Sequence, residues 1–356
     1  MRYNREKLTA VMEQNNVEAM IVSDEYNMRY ISQFRGEGYL YLTKKRQVIL
    51  TDSRYTTQAK REAEDFEVFE ISNVCGYEQL LRQLMEEDGI ERVGFEDQHI
   101  GYAAYDRWTK QIPGKIWTEL GESLNNLRVI KEAWELERLK KAESIGDAAF
   151  SHILNVIKPG MTELAIAAEI EYCMKQHGAS GTSFDTIVAS GIHSAMPHAI
   201  PSDKKVEVGD FVTMDFGCKY DGYCSDMTRT IVIGKASDKQ KEIYGVVLEA
   251  QLAALDVLRA GLTGREVDQV ARDIITKAGY GEDFGHGLGH SVGLYIHEDP
   301  RLAPKGTTVL QENMIETVEP GIYLPEFGGV RIEDMVVVTK DGHKNFAHSK
   351  KELIEL

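Results

Sequence analysis

A long segment of this chain occurs twice in degenerate form. FSHILNVIKPGMTELAIAAEIEYCMKQHG is answered later by LAALDVLRAGLTGREVDQVARDIITKAG, with Gly160 against Gly261, Thr162 against Thr263 and Gly178 against Gly279. Both copies carry the apolar period of helices. The offset then drifts by a few residues, but DFVTMDFG still matches MIETVEPG, and YCSDMTRTIVI matches VRIEDMVVV. Two distant copies do not make a solenoid. They predict a duplicated αβ unit whose halves face each other across a pseudo-twofold axis.

The same alignment sets Asp215 against Glu319 and Asp226 against Glu333. Each half thus offers two acids on two consecutive apolar, β-branched strands, which should be buried. Ionised carboxylates there are costly unless paired or bound to metal. A lone acid at a strand end is ordinarily a turn or capping residue; four at matched positions point to cations. The segment GHGLGHSVGLYIHEDP adds His286, His290 and His297. His286 and His290 have zinc-protease HxxxH spacing, but Gly287 stands where the general-base glutamate belongs, and the glycines make poor helix. One imidazole with four carboxylates is too anionic for a single ion. The set suits two divalent metals, Mn²⁺ or Co²⁺ more naturally than a lone tetrahedral Zn²⁺.

At 356 residues the chain is long enough for about two domains. Its net charge of −16 argues against a nucleic-acid partner, and no basic stripe or aromatic platform supports one. The opening MRYNREKLTA lacks the apolar core of a signal peptide, and no run approaches a membrane span. Cys75, Cys173, Cys218 and Cys224 form no CxxC pair and read as reduced thiols, Cys218 and Cys224 as hairpin thiols. A cytoplasmic protein with no membrane contact is expected. Over the first 120 or so residues, REKLTAVMEQNN and YEQLLRQLMEEDG read as helices, and AMIVS, RQVILTD, FEVFEI and RVGFED as strands. The polar stretch near Gly121–Asn126 precedes KEAWELERLKKAESIGDAAFSHILNVIKPG, a long helical region whose charges read as a solvated face. The expected domains are 1–125, an α/β domain without clustered catalytic residue types, and 126–356.

DFGCKYDGYCSDMTRT, GHGLGHSVGLYIHEDP and EPGIYLPEFGGVRIED resemble the three metal-site segments of the pita-bread metallopeptidases: methionine aminopeptidase, aminopeptidase P and prolidase. SGIHSAMPHA and HSVGLYIHEDP resemble the proline-specific branch, and NMRYISQF resembles its smaller creatinase-type N-terminal domain. The resemblance implies an α/β (α+β) fold, with a pita-bread catalytic domain behind an N-terminal α/β domain that limits access and gives a dimer surface. It implies Asp215, Asp226, His290, Glu319 and Glu333 as ligands of two divalent ions, Mn²⁺ first with Co²⁺ or Zn²⁺ as alternatives. Asp226 and Glu333 would bridge, Asp215 would complete one site, and His290 with Glu319 the other. His198, His286, His297 and Arg331 are implied as active-site residues. The match departs at His193, where relatives often carry Asn.

The implied reaction is hydrolysis of the Xaa-Pro bond by a metal-activated hydroxide, on a small peptide with proline second. His198 and His297 would face the oxyanion, and Glu319 would shuttle a proton to the proline nitrogen. His286 would orient a ligand. Arg331 sits two residues from Glu333, so alternation places both on one strand face, where Arg331 would either neutralise the acids or touch substrate. A compact chain without long insertions favours an Xaa-Pro dipeptidase (prolidase) over an aminopeptidase P acting on longer peptides. A metal-free creatinase-type hydrolase or a binding protein is the third reading, and the five ligand-competent positions oppose it.

Overall fold

In the computed structural model, residues 5–356 are described; Met1 to Asn4 of the charged opening lie outside the described residues. The chain divides into two compact units, Met1–Arg128 and Val129–Leu356. Among the described residues no helix is long and apolar enough to cross a membrane.

The first unit runs α1 (Arg5–Gln14), β1 (Ala19–Val22), α2 (Glu25–Ser32), β2 (Tyr39–Thr43), β3 (Gln47–Thr51), α3 (Thr56–Glu62), β4 (Glu67–Glu70), α4 (Tyr77–Glu87), β5 (Arg92–Phe95), α5 (Tyr102–Gln111) and β6 (Ile116–Glu119). One mixed sheet, ordered β4-β3-β2-β1-β5-β6, is covered by two apolar clusters. Strand β1 is buried along its whole length, as a central strand must be. Helices α2, α3 and α5 and strands β2 and β6 have no counterpart in the elements expected from the sequence.

The second unit contains the duplication. Its first half comprises α6 (Ala133–Ile153), α7 (Glu163–Gln176), β7 (Gly181–Thr182), β8 (Ile187–Ser190), β9 (Phe211–Phe216), β10 (Cys218–Tyr220), β11 (Tyr223–Cys224) and β12 (Met227–Val232). The second comprises α8 (Asp238–Val257), α9 (Gly264–Lys277), β13 (Gly289–Ser291), β14 (Glu298–Leu302), β15 (Ile315–Val318), β16 (Gly321–Leu324), β17 (Gly328–Arg331), β18 (Asp334–Val338) and β19 (His343–Asn345). Each half packs a helix pair on an antiparallel sheet, β12-β9-β8 in one and β15-β18-β19 in the other, with a core of its own. The halves meet along polar edges: Thr230 Oγ1 donates to the Arg331 carbonyl at 3.0 Å, and the Glu333 amide to the Thr228 carbonyl at 3.1 Å.

Two local expectations need correction. The charges in and before α6 are not all a solvated face, because Lys131, Glu135 and Glu143 are buried. The fold gives them partners: Glu298 for Lys131, the Tyr223 hydroxyl for Glu135 and the Asp226 amide for Glu143. Arg331 and Glu333 do not share one unbroken strand, since pairing lapses at Ile332–Glu333 between β17 and β18; both still line the same cavity.

Candidate active site

The cavity between the two halves has a volume of about 630 Å³. Asp215 projects from β9, and Asp226 sits in the gap between β11 and β12. Glu319 follows β15, Glu333 lies between β17 and β18, and His290 is central in β13. All five line the cavity. Asp226, His290 and Glu333 each offer one ligand atom within 4.8 Å of the others.

The local backbone holds these side chains from behind. The His290 amide donates to Thr317 Oγ1 at 3.0 Å, and the Glu319 amide to the Leu288 carbonyl at 2.8 Å. The Asp226 amide donates to Glu143 Oε2 at 3.3 Å. At Gly289 any Cβ would overlap the Thr317 carbonyl, so β13 can lie against β15 only with glycine there.

The electrostatics are those of buried acids crowded together. Burial, and then repulsion among the acids, pushes Asp226 and Glu333 well above the usual carboxylate range, and burial raises Glu319 to about 7. His290 Nδ1 lies 3.1 Å from the Ser291 carbonyl, which can only accept. Nδ1 therefore carries the proton, and Nε2 turns a lone pair toward Asp226 Oδ2 at 3.5 Å and Glu319 Oε1 at 3.4 Å. Burial lowers His290 to about 3, so the ring is neutral near pH 7. Acceptor faces acceptor, and the buried Asp215 Oδ1 has no hydrogen-bond partner. This donor set, four carboxylates and one imidazole, fits divalent cations.

Arg331 is buried and acts as a clamp. It donates to Asp215 Oδ2 at 2.7 Å, to Thr228 Oγ1 at 3.0 Å and to the Tyr323 hydroxyl at 2.9 Å. That hydroxyl is also 2.9 Å from His286 Nε2. His286 Nδ1 donates to the Gly287 carbonyl at 2.8 Å, so Nε2 accepts and Tyr323 is the donor. His286 thus reaches the acids through Tyr323 and Arg331.

His198 and His297 are exposed and both line the cavity, and the His297 ring packs edge-on against His290 at 4.7 Å. Phe184, Ile187, Pro197, Ile200 and Pro201 form an apolar wall, and Arg301 adds a positive charge. His193 turns away, with Nδ1 3.2 Å from the Glu163 carboxylate. Cys218 and Cys224 lie in the β10–β11 hairpin as buried thiols, and burial pushes Cys218 up to about 12. Sequence reasoning missed Tyr323, Arg301, Glu143 and Glu163. Tyr323 and Arg301 stood inside or beside segments already singled out, but no spacing rule marks them.

The sequence matches metallopeptidase family M24 over residues 137–340 and the creatinase/prolidase N-terminal domain over residues 4–130. It is 38% identical to the Xaa-Pro dipeptidase of Pyrococcus furiosus, over 99% of this chain and 100% of that one. The solved structure of Xaa-Pro dipeptidase from Bacillus anthracis is 44% identical and superposes with a TM-score of 0.95, covering 99% of each chain. That of X-Pro aminopeptidase from Thermotoga maritima is 37% identical, with a TM-score of 0.92, covering 98% of this chain and 100% of that one.

Proposed function

This chain belongs to metallopeptidase family M24, with a creatinase-type N-terminal domain ahead of a pita-bread domain, and we propose that it is an Xaa-Pro dipeptidase. One observation carries the reading: a cavity with a floor of clustered, buried acids, an apolar wall and a positive charge at Arg301. A zwitterionic Xaa-Pro dipeptide presents an amine, an apolar pyrrolidine ring and a carboxylate, which complement those three features in turn. In this reading Asp215, Asp226, His290, Glu319 and Glu333 would hold two divalent ions, with Mn²⁺ the first choice. Such ions supply Lewis acidity and lower the pKa of water.

The chain's own groups do the rest. The wall of Phe184, Ile187 and Ile200 receives the proline ring and excludes water from it. Arg301 orients the free carboxylate, which a longer peptide lacks at that position. His198 and His297 donate to the oxygen of the scissile carbonyl as it gains charge. The proline nitrogen has no N–H and must be protonated to leave; Glu319, whose carboxylate lines the cavity beside the other acids, is the carrier. The tether from Arg331 through Tyr323 to His286 holds Asp215 in place. A cytoplasmic homodimer belongs to the same reading on the resemblance alone.

The experiment compares hydrolysis of Ala-Pro and Ala-Pro-Ala by the Mn²⁺-loaded protein. The expected kcat/KM is at least about tenfold higher for the dipeptide. The reverse preference makes it an aminopeptidase P, the alternative that the Thermotoga maritima likeness keeps in view. No turnover of either with metal bound removes the peptidase reading.

A further inference from the structure

Beneath the substrate-facing strand lies a buried ion pair that the proposed chemistry does not use. Lys131 Nζ donates to Glu298 Oε2 at 2.8 Å, with both side chains almost wholly buried. The other oxygen, Glu298 Oε1, accepts the Tyr295 amide at 3.2 Å. Gly293 packs directly on this carboxylate, and a Cβ there would overlap it. The Lys131 amide donates to the Asn313 carbonyl at 2.9 Å, which fixes the lysine's backbone to the turn before β15.

Strand alternation gives the pair its reach. In β14, Glu298, Pro300 and Leu302 point inward, while Asp299 and Arg301 point outward. His297, just before the strand, faces out, and its carbonyl accepts from Arg301 at 3.1 Å. Glu298 is therefore the inward anchor of the segment that presents His297 and Arg301 to the cavity. Two more buried acids, Glu135 and Glu316, lie within electrostatic reach of Lys131, and neither oxygen of Glu316 has a hydrogen-bond partner. Burial raises both above the usual carboxylate range, while Glu298 makes a direct ion pair with the lysine. A buried ion pair adds little stability over hydrocarbon of the same volume. What it adds here is direction, because both carboxylate oxygens are committed to fixed donors.

We propose that the Lys131–Glu298 pair is a positioning device for the wall carrying His297 and Arg301, setting it against the metal-binding floor. The catalytic consequence rests on the dipeptidase reading; the positional one does not. The test is Lys131→Met, read by hydrogen exchange, Mn²⁺ calorimetry and Ala-Pro kinetics against wild type. Exchange over residues 293–301 should rise while that over residues 315–333 stays the same. Mn²⁺ affinity should hold within about threefold, while kcat falls by roughly 10–100-fold, the loss typical of removing a partner behind a functional group. Adding Glu298→Gln to Lys131→Met should cost no more, since it removes the stranded charge. Unchanged exchange over 293–301 overturns the proposal, as does a loss of activity that tracks loss of Mn²⁺. If Lys131→Met does not fold, Lys131→Arg and Glu298→Gln are judged by the same measurements. A wild-type protein inactive on Ala-Pro defeats the dipeptidase reading, and the exchange comparison still decides the role of the pair.

Discussion

The two halves of the peptidase domain use one scaffold and attach their cavity walls to it by different physics. Thr162 caps α7 and Thr263 caps α9, each accepting an amide from the first helical turn. Gly160 donates to the Val206 carbonyl at 2.8 Å, and Gly261 to the Leu310 carbonyl at 2.9 Å. The correspondence fails one residue after each cap. In the first half Glu163 is fully buried, and its carboxylate gathers Ser190, His193 and Ser202. It thereby ties down the loop that carries His198. Burial alone would raise its pKa, but the bonds from Ser202 and Ser190 outweigh it and hold the group below the usual range. In the second half the equivalent residue is Gly264, and the Arg301 carbonyl occupies the space a Cβ would need. One wall hangs on side-chain hydrogen bonds; the other rests backbone-on-backbone against its helix. Duplication preserved the frame and the matched acids, while the walls were free to diverge.

The strongest way to break this comparison is at the acids that should be equivalent. Asp226→Asn and Glu333→Gln should each abolish Mn²⁺ binding and turnover, a loss beyond the roughly 10–100-fold typical of outer partners. Metal analysis and Ala-Pro kinetics on both variants check this, and two tightly bound ions with near-normal turnover in either would sink the paired-site reading. Next comes His198→Ala on the hydrogen-bonded wall, which should keep its metals and lose roughly 10²-fold in kcat. Unchanged kcat removes His198 from the reaction.

Gly264→Ala tests the other wall through stability. On an ordinary helix this change would gain up to about 1 kcal/mol. Here it should cost about 1–3 kcal/mol, because the new methyl meets backbone that cannot yield. Urea midpoints measure the sign, and a gain in stability would mean that the close approach is not maintained. The pH dependence of the metal-free protein is the smallest effect. Burial raises Asp226, Glu333 and Glu319, the last to about 7, so the folded state holds protons that the unfolded chain has shed. Stability contributed by the neutral acids is lost as pH rises through 7 and beyond. Burial lowers His286 to about 4 and His290 to about 3. These rings matter only below their unfolded value of about 6.5, where stability falls as pH drops. Melting temperature should therefore decline without metal as pH rises from about 6.5 through 7, and Mn²⁺ should flatten the decline. A rise over that window in the stripped protein would contradict the burial of these carboxyls.

The duplication was legible because its marks are local: cap threonines, turn glycines and acids at strand ends all lie within a few residues of one another. Those marks led to the four cavity acids and to the helices α6 to α9. The missed helices α3 and α5 of the first unit each bury a single residue, Ala59 and Trp108, and their packing is decided by distant partners. Tyr323 was invisible for a related reason. In sequence it is an aromatic strand residue, and its role comes from Arg331 and His286, which only the fold brings to its hydroxyl. Glu163 resembles an acid placed to suit a helix dipole. Lys131 and Glu135 resemble solvent charges because nothing in a local pattern reveals that the chain will close over them.

The backbone ties behind the ligands carry a practical consequence. The amides of Asp226, His290, Glu319 and Glu333 each already have an acceptor within the protein, so the frame does not depend on an ion to close. Small zinc domains spend metal affinity on folding and collapse when stripped. This protein should behave as a reloadable vessel: dialysis against chelator would empty it without unfolding it, and different divalent ions could then be compared in one and the same preparation.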